Sequence, residues 1–146
     1  MKMVQINWIR FTTILAGRII REAILPLDSQ DRANVVIIDN SMFERNRSKK
    51  TELLAKVYDH ARHTYKFSFR MLTLGWSDGS TFLPINSVLL PPENKKNWIN
   101  QAEPVEKRTV GYKRRALSMQ KGTHAMLELL SSAKKAAIPA KYVLFD

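Results

Sequence analysis

The sequence predicts an α/β protein built on a mixed sheet, with an N-terminal helix and one packed crossover helix, and three observations predict it. Val35-Val36-Ile37-Ile38 is a continuous apolar run of β-branched residues closing on Asp39, the pattern of a strand buried on both faces. Tyr142-Val143-Leu144-Phe145-Asp146 repeats that design. Between them, Ala125, Met126, Leu129, Leu130, Ala133 and Ala137 fall on one side of a helix, with Thr123 as an N-cap and Pro139 as the stop. A helix joining two such strands lets them lie parallel in one sheet.

The remaining elements follow in chain order. Trp8, Phe11, Leu15, Ile19 and Ile20 recur at helical spacing with Arg18, Arg21 and Glu22 on another face, so an amphipathic helix runs up to Pro26. Leu27 to Arg32 is a polar connector, which divides the chain into a helical segment over residues 1–30 and a main unit over residues 31–146. Leu53, Leu54, Val57 and Tyr58 predict a short basic helix within Thr51 to Arg62. Phe67 to Leu74 and Thr81 to Leu90 are β-rich and flank Ser77-Asp78-Gly79-Ser80, a hairpin turn in which Gly79 supplies the positive φ. Pro91 to Gly111 is a polar, basic excursion around Trp98. The order is strand, helical excursion, hairpin, helix, strand.

A chain of 146 residues fits one domain and can bury a core without staples. It has no cysteine, which excludes disulfides and thiolate metal sites. No uncharged run reaches the roughly 18 residues that cross lipid, because arginines interrupt the apolar N-terminal stretch. No signal peptide is evident either, and the expectation is a cytoplasmic protein with no membrane partner. Lys+Arg total 24 against Asp+Glu 13, a net charge of +11 and a pI of about 10.1. That excess implies a polyanionic partner, nucleic acid first. The charge gathers in Arg45 to Arg70 and again in Lys95 to Lys121.

Asp39 and Asp146 each close an apolar strand, and at the C-terminal ends of parallel neighbours they would meet on one edge of the sheet. Two close carboxylates repel unless they share a proton or a cation. With oxygen ligands alone the cation would be Mg²⁺ or Mn²⁺, whose paired form can cleave a phosphodiester. On the residues alone the plainer reading is favoured, in which each aspartate caps a turn. His60 and His63 stand three apart but lack a third ligand. Asp78 belongs to the hairpin turn and Glu128 to a helix, and neither is assigned to chemistry. Trp76 reads as core, while Trp98 is open between core and base stacking.

The stretch V-V-I-I-D-N-S-M-F-E-R-N-R-S-K-K-T-E-L-L-A-K-V-Y-D-H, then F-R-M-L-T-L-G-W-S-D-G-S-T-F-L-P-I, then K-Y-V-L-F-D resembles the catalytic domain of bacterial insertion-sequence DDE transposases, over roughly Ile20 to Asp146. The resemblance implies an incomplete RNase H-like mixed sheet. It also implies metal-binding catalytic aspartates at Asp39 and Asp146, with Mg²⁺ or Mn²⁺ as cofactor. DNA, as transposon ends and target, is the implied partner, contacted by Arg45, Arg47, Lys49 and Lys50. The family's third acid, a downstream glutamate, has no counterpart, and neither do the downstream helices and β-insertion. The expectation is therefore a truncated or split DNA transposition enzyme, nucleoid-associated in a bacterium. Alone it should be marginally stable and inactive, and self-association or a complementing transposase fragment would complete it. Two other readings stay open: a non-catalytic basic nucleic-acid-binding remnant, and a remnant that docks a partner polypeptide on the sheet edge beyond Asp146.

Overall fold

A computed structural model of the chain describes residues 6–28 and 32–145. Helix α1 (Trp8–Ile19) starts at Asn7, whose side chain accepts the Arg10 backbone N–H at 3.1 Å, the usual satisfaction of a free N-terminal donor. It continues through one wide turn, Ile20–Ile24, and one tight turn, Leu25–Leu27, which holds Pro26. The predicted N-terminal helix and its proline stop are both present, but its buried face is Thr13, Ala16, Gly17 and Ile20, and of the expected apolar stripe Trp8, Phe11, Leu15 and Ile19 are exposed.

The sheet has five strands: β1 (Val35–Glu44), β2 (Ala55–Asp59), β3 (Thr64–Ser77), β4 (Phe82–Leu90) and β5 (Tyr142–Phe145). β3 is its organiser. Ser68 to Ser77 pairs antiparallel with β1 on one side, while on the other Thr64 to Ser68 pairs with β2 and Arg70 to Ser77 with β4. β5 lies on the far side of β1 and parallel to it, with Val35 opposite Tyr142 and Ile38 opposite Phe145. The chain reaches β5 through α2 (Val110–Ser118) and α3 (Gly122–Lys135), a helical crossover of the kind a parallel neighbour requires. The β3–β4 turn is the predicted one, with Gly79 at φ +92° and Asp78 accepting the N–H groups of Ser80 and Thr81.

One face of the sheet carries the main core. Val36, Ile38, Leu72, Leu74, Trp76, Val88 and Leu90 pack against Ala16 and Ile20 of the first helical segment and Ala125, Leu129 and Ala133 of α3. Trp76 is fully buried, and its indole N–H donates to the Pro139 carbonyl at 2.7 Å, so the expectation of a core residue holds. The first helix thus shares a core with the sheet. Residues on the opposite face of the same strands, Phe43, Phe69 and Leu89, form a smaller cluster under Leu53, Leu54, Trp98 and Ala102.

Three expectations need correction, and the open reading of Trp98 is decided. Residues 51–62 contain no helix: Ala55 to Asp59 alternates buried and exposed along β2. Pairing with β3 overrides the helical spacing, and Leu53, at φ +59°, leaves the helical region altogether. Trp98 is half-buried over Leu53 and Leu54, and its N–H donates to the Pro92 carbonyl at 2.8 Å, so it caps the second cluster rather than standing free for a base. Lys121, not Thr123, is the residue before α3. Finally, the two apolar strands are not buried on both faces. β1 alternates, because both packed helices lie on its Val36–Ile38 face, and every residue of β5 is exposed, from 47% at Val143 to 76% at Phe145.

Candidate functional site

Asp39 stands in the middle of β1, not at its end. The strand continues to Glu44 because β3 supplies a pairing partner over all ten positions, Val35 opposite Ser77 through Glu44 opposite Ser68. What does end beside Asp39 is the parallel ladder, whose last pair is Ile38 with Phe145. Asp39 is exposed and sits directly across from Thr73. Alternation along the strand puts it on the face of Ser41 and Phe43, opposite the face of Val36 and Ile38 that packs on α3. A carboxylate there keeps its hydration, which a place among the core residues would deny it. Asp146 lies outside the described residues.

Arg45, Arg47, Lys49 and Lys50 occupy the end of β1 and the loop beyond it, and all four are exposed. At about 3.3 Å per residue, Arg45 is roughly 20 Å along the strand from Asp39. The loop's path is fixed at several points. The Arg45 N–H donates to the Phe67 carbonyl at 2.7 Å, and the Arg45 guanidinium lies 4.4 Å from the centre of the Phe43 ring. The Asn100 amide donates to the carbonyls of Lys49 and Thr51 at 3.1 and 3.0 Å, and Leu53 and Leu54, which follow the loop in the chain, are buried. Among the described residues, no carboxylate pairs with any of the four cations. Their charge is therefore offered outward.

The two histidines do not share a helix face. They lie in the turn joining β2 to β3, with His63 at φ +49°, and among the described residues no group of three His, Cys, Asp or Glu side chains could hold a metal ion. Beneath this turn is an ion cluster that sequence reasoning missed. Lys66, nearly buried, meets Glu44 and lies 3.3 Å from Asp59, whose Oδ1 accepts the N–H groups of Ala61 and Arg62 at 3.0 and 3.1 Å. Burial raises the Asp59 pKa, but the Arg62 N–H, the Lys66 ammonium and the Ala61 N–H outweigh it and hold the carboxyl below its ordinary value. The signal was present as period-two alternation in Ala55 to Asp59 and Thr64 to Ser68, but it became readable only with the two segments paired.

A sequence model of the DDE superfamily endonucleases matches residues 7–146. The chain belongs to that family. Comparison with curated proteins and with solved structures gave no match. The DDE endonuclease fold agrees with the architecture above, a curled mixed sheet with helices that is compatible with an RNase H-like core. Membership carries nuclease- or transposase-type chemistry with DNA as substrate, and such enzymes use divalent metals. Asp39 is an exposed hard-oxygen donor in a chain without cysteine, the donor chemistry that Mg²⁺ or Mn²⁺ takes. Among the described residues no helix is long and apolar enough to cross a membrane.

Proposed function

We propose that this DDE endonuclease acts in DNA transposition, as part of an insertion-sequence enzyme that cleaves a phosphodiester at an element's end and joins the freed 3′ hydroxyl to target DNA. The observation that carries the reading is the parallel register of β1 and β5. Ile38 pairs with Phe145, and in the sequence an aspartate follows each of them. Asp39 and Asp146 would hold Mg²⁺ or Mn²⁺. The metal, when bound, stabilises negative charge on the attacking and leaving oxygens of the phosphodiester. The protein's own residues fix the geometry. Thr73 and Ser41 share the Asp39 face, and the Arg45, Arg47, Lys49 and Lys50 loop holds the DNA backbone farther along the same sheet. In this reading residues 31–146 form the metal-dependent unit, the first helix is docked onto it, and the protein works in the bacterial cytoplasm at the nucleoid.

The test is DNA binding with and without Mn²⁺ for the unchanged chain and for Asp39→Asn. The unchanged chain binds more tightly with Mn²⁺. The variant, having lost a negative charge, binds more tightly than the unchanged chain without metal and no longer responds to it. A variant that still responds to Mn²⁺ removes Asp39 from the metal site and leaves a non-catalytic, basic DNA-binding protein as the better account.

A further inference from the structure

Beyond the metal site, the hairpin formed by β2 and β3 exposes a group of rings whose position serves no core. Direct cross-strand partners share a face, so Tyr58 opposite Tyr65 and Lys56 opposite Phe67 all point to one side. Tyr65 is 62% exposed, and Tyr58 and Phe67 are each 37% exposed. The Tyr58 ring meets Tyr65 edge to face at 5.1 Å and His60 at 5.0 Å, while the Lys56 ammonium lies 4.8 Å from the Tyr65 ring centre. These contacts hold the rings against one another with their outer surfaces in water.

The opposite side of the hairpin explains why the rings stay in place. There Lys66, Asp59 and Glu44 neutralise one another, Arg62 joins Glu44 at 3.3 Å, and Asp59 ties down the turn. The platform is thus held on a rigid, charge-balanced base, and the uncompensated charge nearby is positive: Lys56 on the platform itself, then Arg45, Arg47, Lys49 and Lys50. Aromatic rings interleaved with cations fit a polyanion that carries flat apolar groups, which is a nucleic-acid strand with its bases unpaired. The platform also lies on the face that carries Asp39, since Asp39, Thr73, Met71, Phe69, Phe67 and Tyr65 alternate along one side of the β1–β3 ribbon. From Thr73 to Tyr65 is roughly 26 Å of strand.

We propose that the Tyr58–Tyr65 face stacks unpaired bases of single-stranded DNA, as a contact separate from the duplex-backbone contacts of the Arg45 to Lys50 loop. Removing the rings costs affinity for single strands without changing how many phosphates are neutralised, so the salt slope stays fixed. The experiment compares a labelled thymidine homopolymer with a duplex of equal length across a salt series. Tyr58→Ala combined with Tyr65→Ala weakens single-strand binding by about tenfold or more, within the range for loss of a stacked base, and leaves the slope and duplex affinity unchanged. Tyr65→Phe retains binding. Lys49→Ala with Lys50→Ala does the reverse, lowering the slope on duplex.

Equal losses on both DNA forms, or none on the single strand, overturn the proposal while leaving the Asp39 reading untouched. A second measurement needs no substitution. Photocrosslinking of the unchanged chain to a strand containing 5-iododeoxyuridine, followed by peptide mapping, places the adduct on Tyr58 or Tyr65. Adducts confined to other residues also overturn it.

Discussion

Arg21 donates from Nη1 to the Ala136 carbonyl at 3.1 Å and to the Ala137 carbonyl at 3.3 Å, so the turn that follows α1 closes the C-terminal end of α3. A guanidinium there satisfies carbonyls that have no partner within the helix and meets the negative end of its dipole. Gly17, one turn earlier, leaves room for this approach, since a Cβ in its place would stand 3.2 Å from the same guanidinium nitrogen. Arg21→Ala should therefore destabilise the chain by about 1 kcal/mol. Urea unfolding should show a lower midpoint with an unchanged slope, and an unchanged midpoint would mean that water replaces the guanidinium at no cost.

Trp76 and Trp98 should respond unequally to the same change. Trp76→Phe removes a fully buried indole and leaves the Pro139 carbonyl without its donor, a loss of roughly 2–4 kcal/mol from packing and the orphaned acceptor together. Trp98→Phe alters a half-buried ring in the smaller cluster and should cost less than half as much. Thermal unfolding of the two variants side by side decides the order.

Leu54 anchors the chain just after the basic loop. It is fully buried with Phe69, and Leu54→Ala should cost about 2–5 kcal/mol of local or global stability. The distinctive outcome is local: trypsin should cut after Arg47, Lys49 or Lys50 faster than at sites in α3. Uniform acceleration at all sites would show that the small cluster is not an independent layer.

Acid should unfold the chain through Asp78 and Asp59. The N–H groups of Thr81 and Ser80 bind the Asp78 carboxylate and, with help from Arg32, hold its pKa below the ordinary value against the effect of burial. Asp59 is lowered as well. For both, the unfolded chain takes up protons at a higher pH than the folded one. Their contribution is thus complete above the unfolded carboxylate range near pH 4 and is lost as the pH falls through the lower folded values. Asp78→Ala should lower stability at neutral pH and make the acid limb shallower, as read from midpoints at a series of pH values. An acid limb identical to that of the unchanged chain would exclude Asp78 as its source.

What the sequence made legible was local. Val35 to Ile38, the Ser77 to Ser80 turn, the α3 stripe and Tyr142 to Phe145 each announce themselves within a few residues, and each is found where expected. The second half of β1 was not legible, because Asn40 to Glu44 is strand only by virtue of the length of β3. β2 was hidden for the same reason: Leu53, Leu54, Val57 and Tyr58 mimic a helical stripe, although the first two serve a cluster closed by Trp98 and the last two a ladder with β3. Asp39 could be singled out from its apolar run, but its place mid-strand, where the parallel ladder ends, depends on partners distant in sequence.

The parallel β1–β5 ladder also sets the timing of assembly. Val35 pairs with Tyr142, more than a hundred residues later, whereas β3 and β4 are joined by a tight turn. During synthesis at about 5–20 residues per second, β1 waits about 5–20 s for its parallel partner after it has itself emerged. Over that interval its β5-facing edge is an open template for other strands. The step that brings the end of β5 beside Asp39 is thus the late, non-local one in the folding of this chain, and the interval before it is when a nascent copy is most exposed to pairing with another.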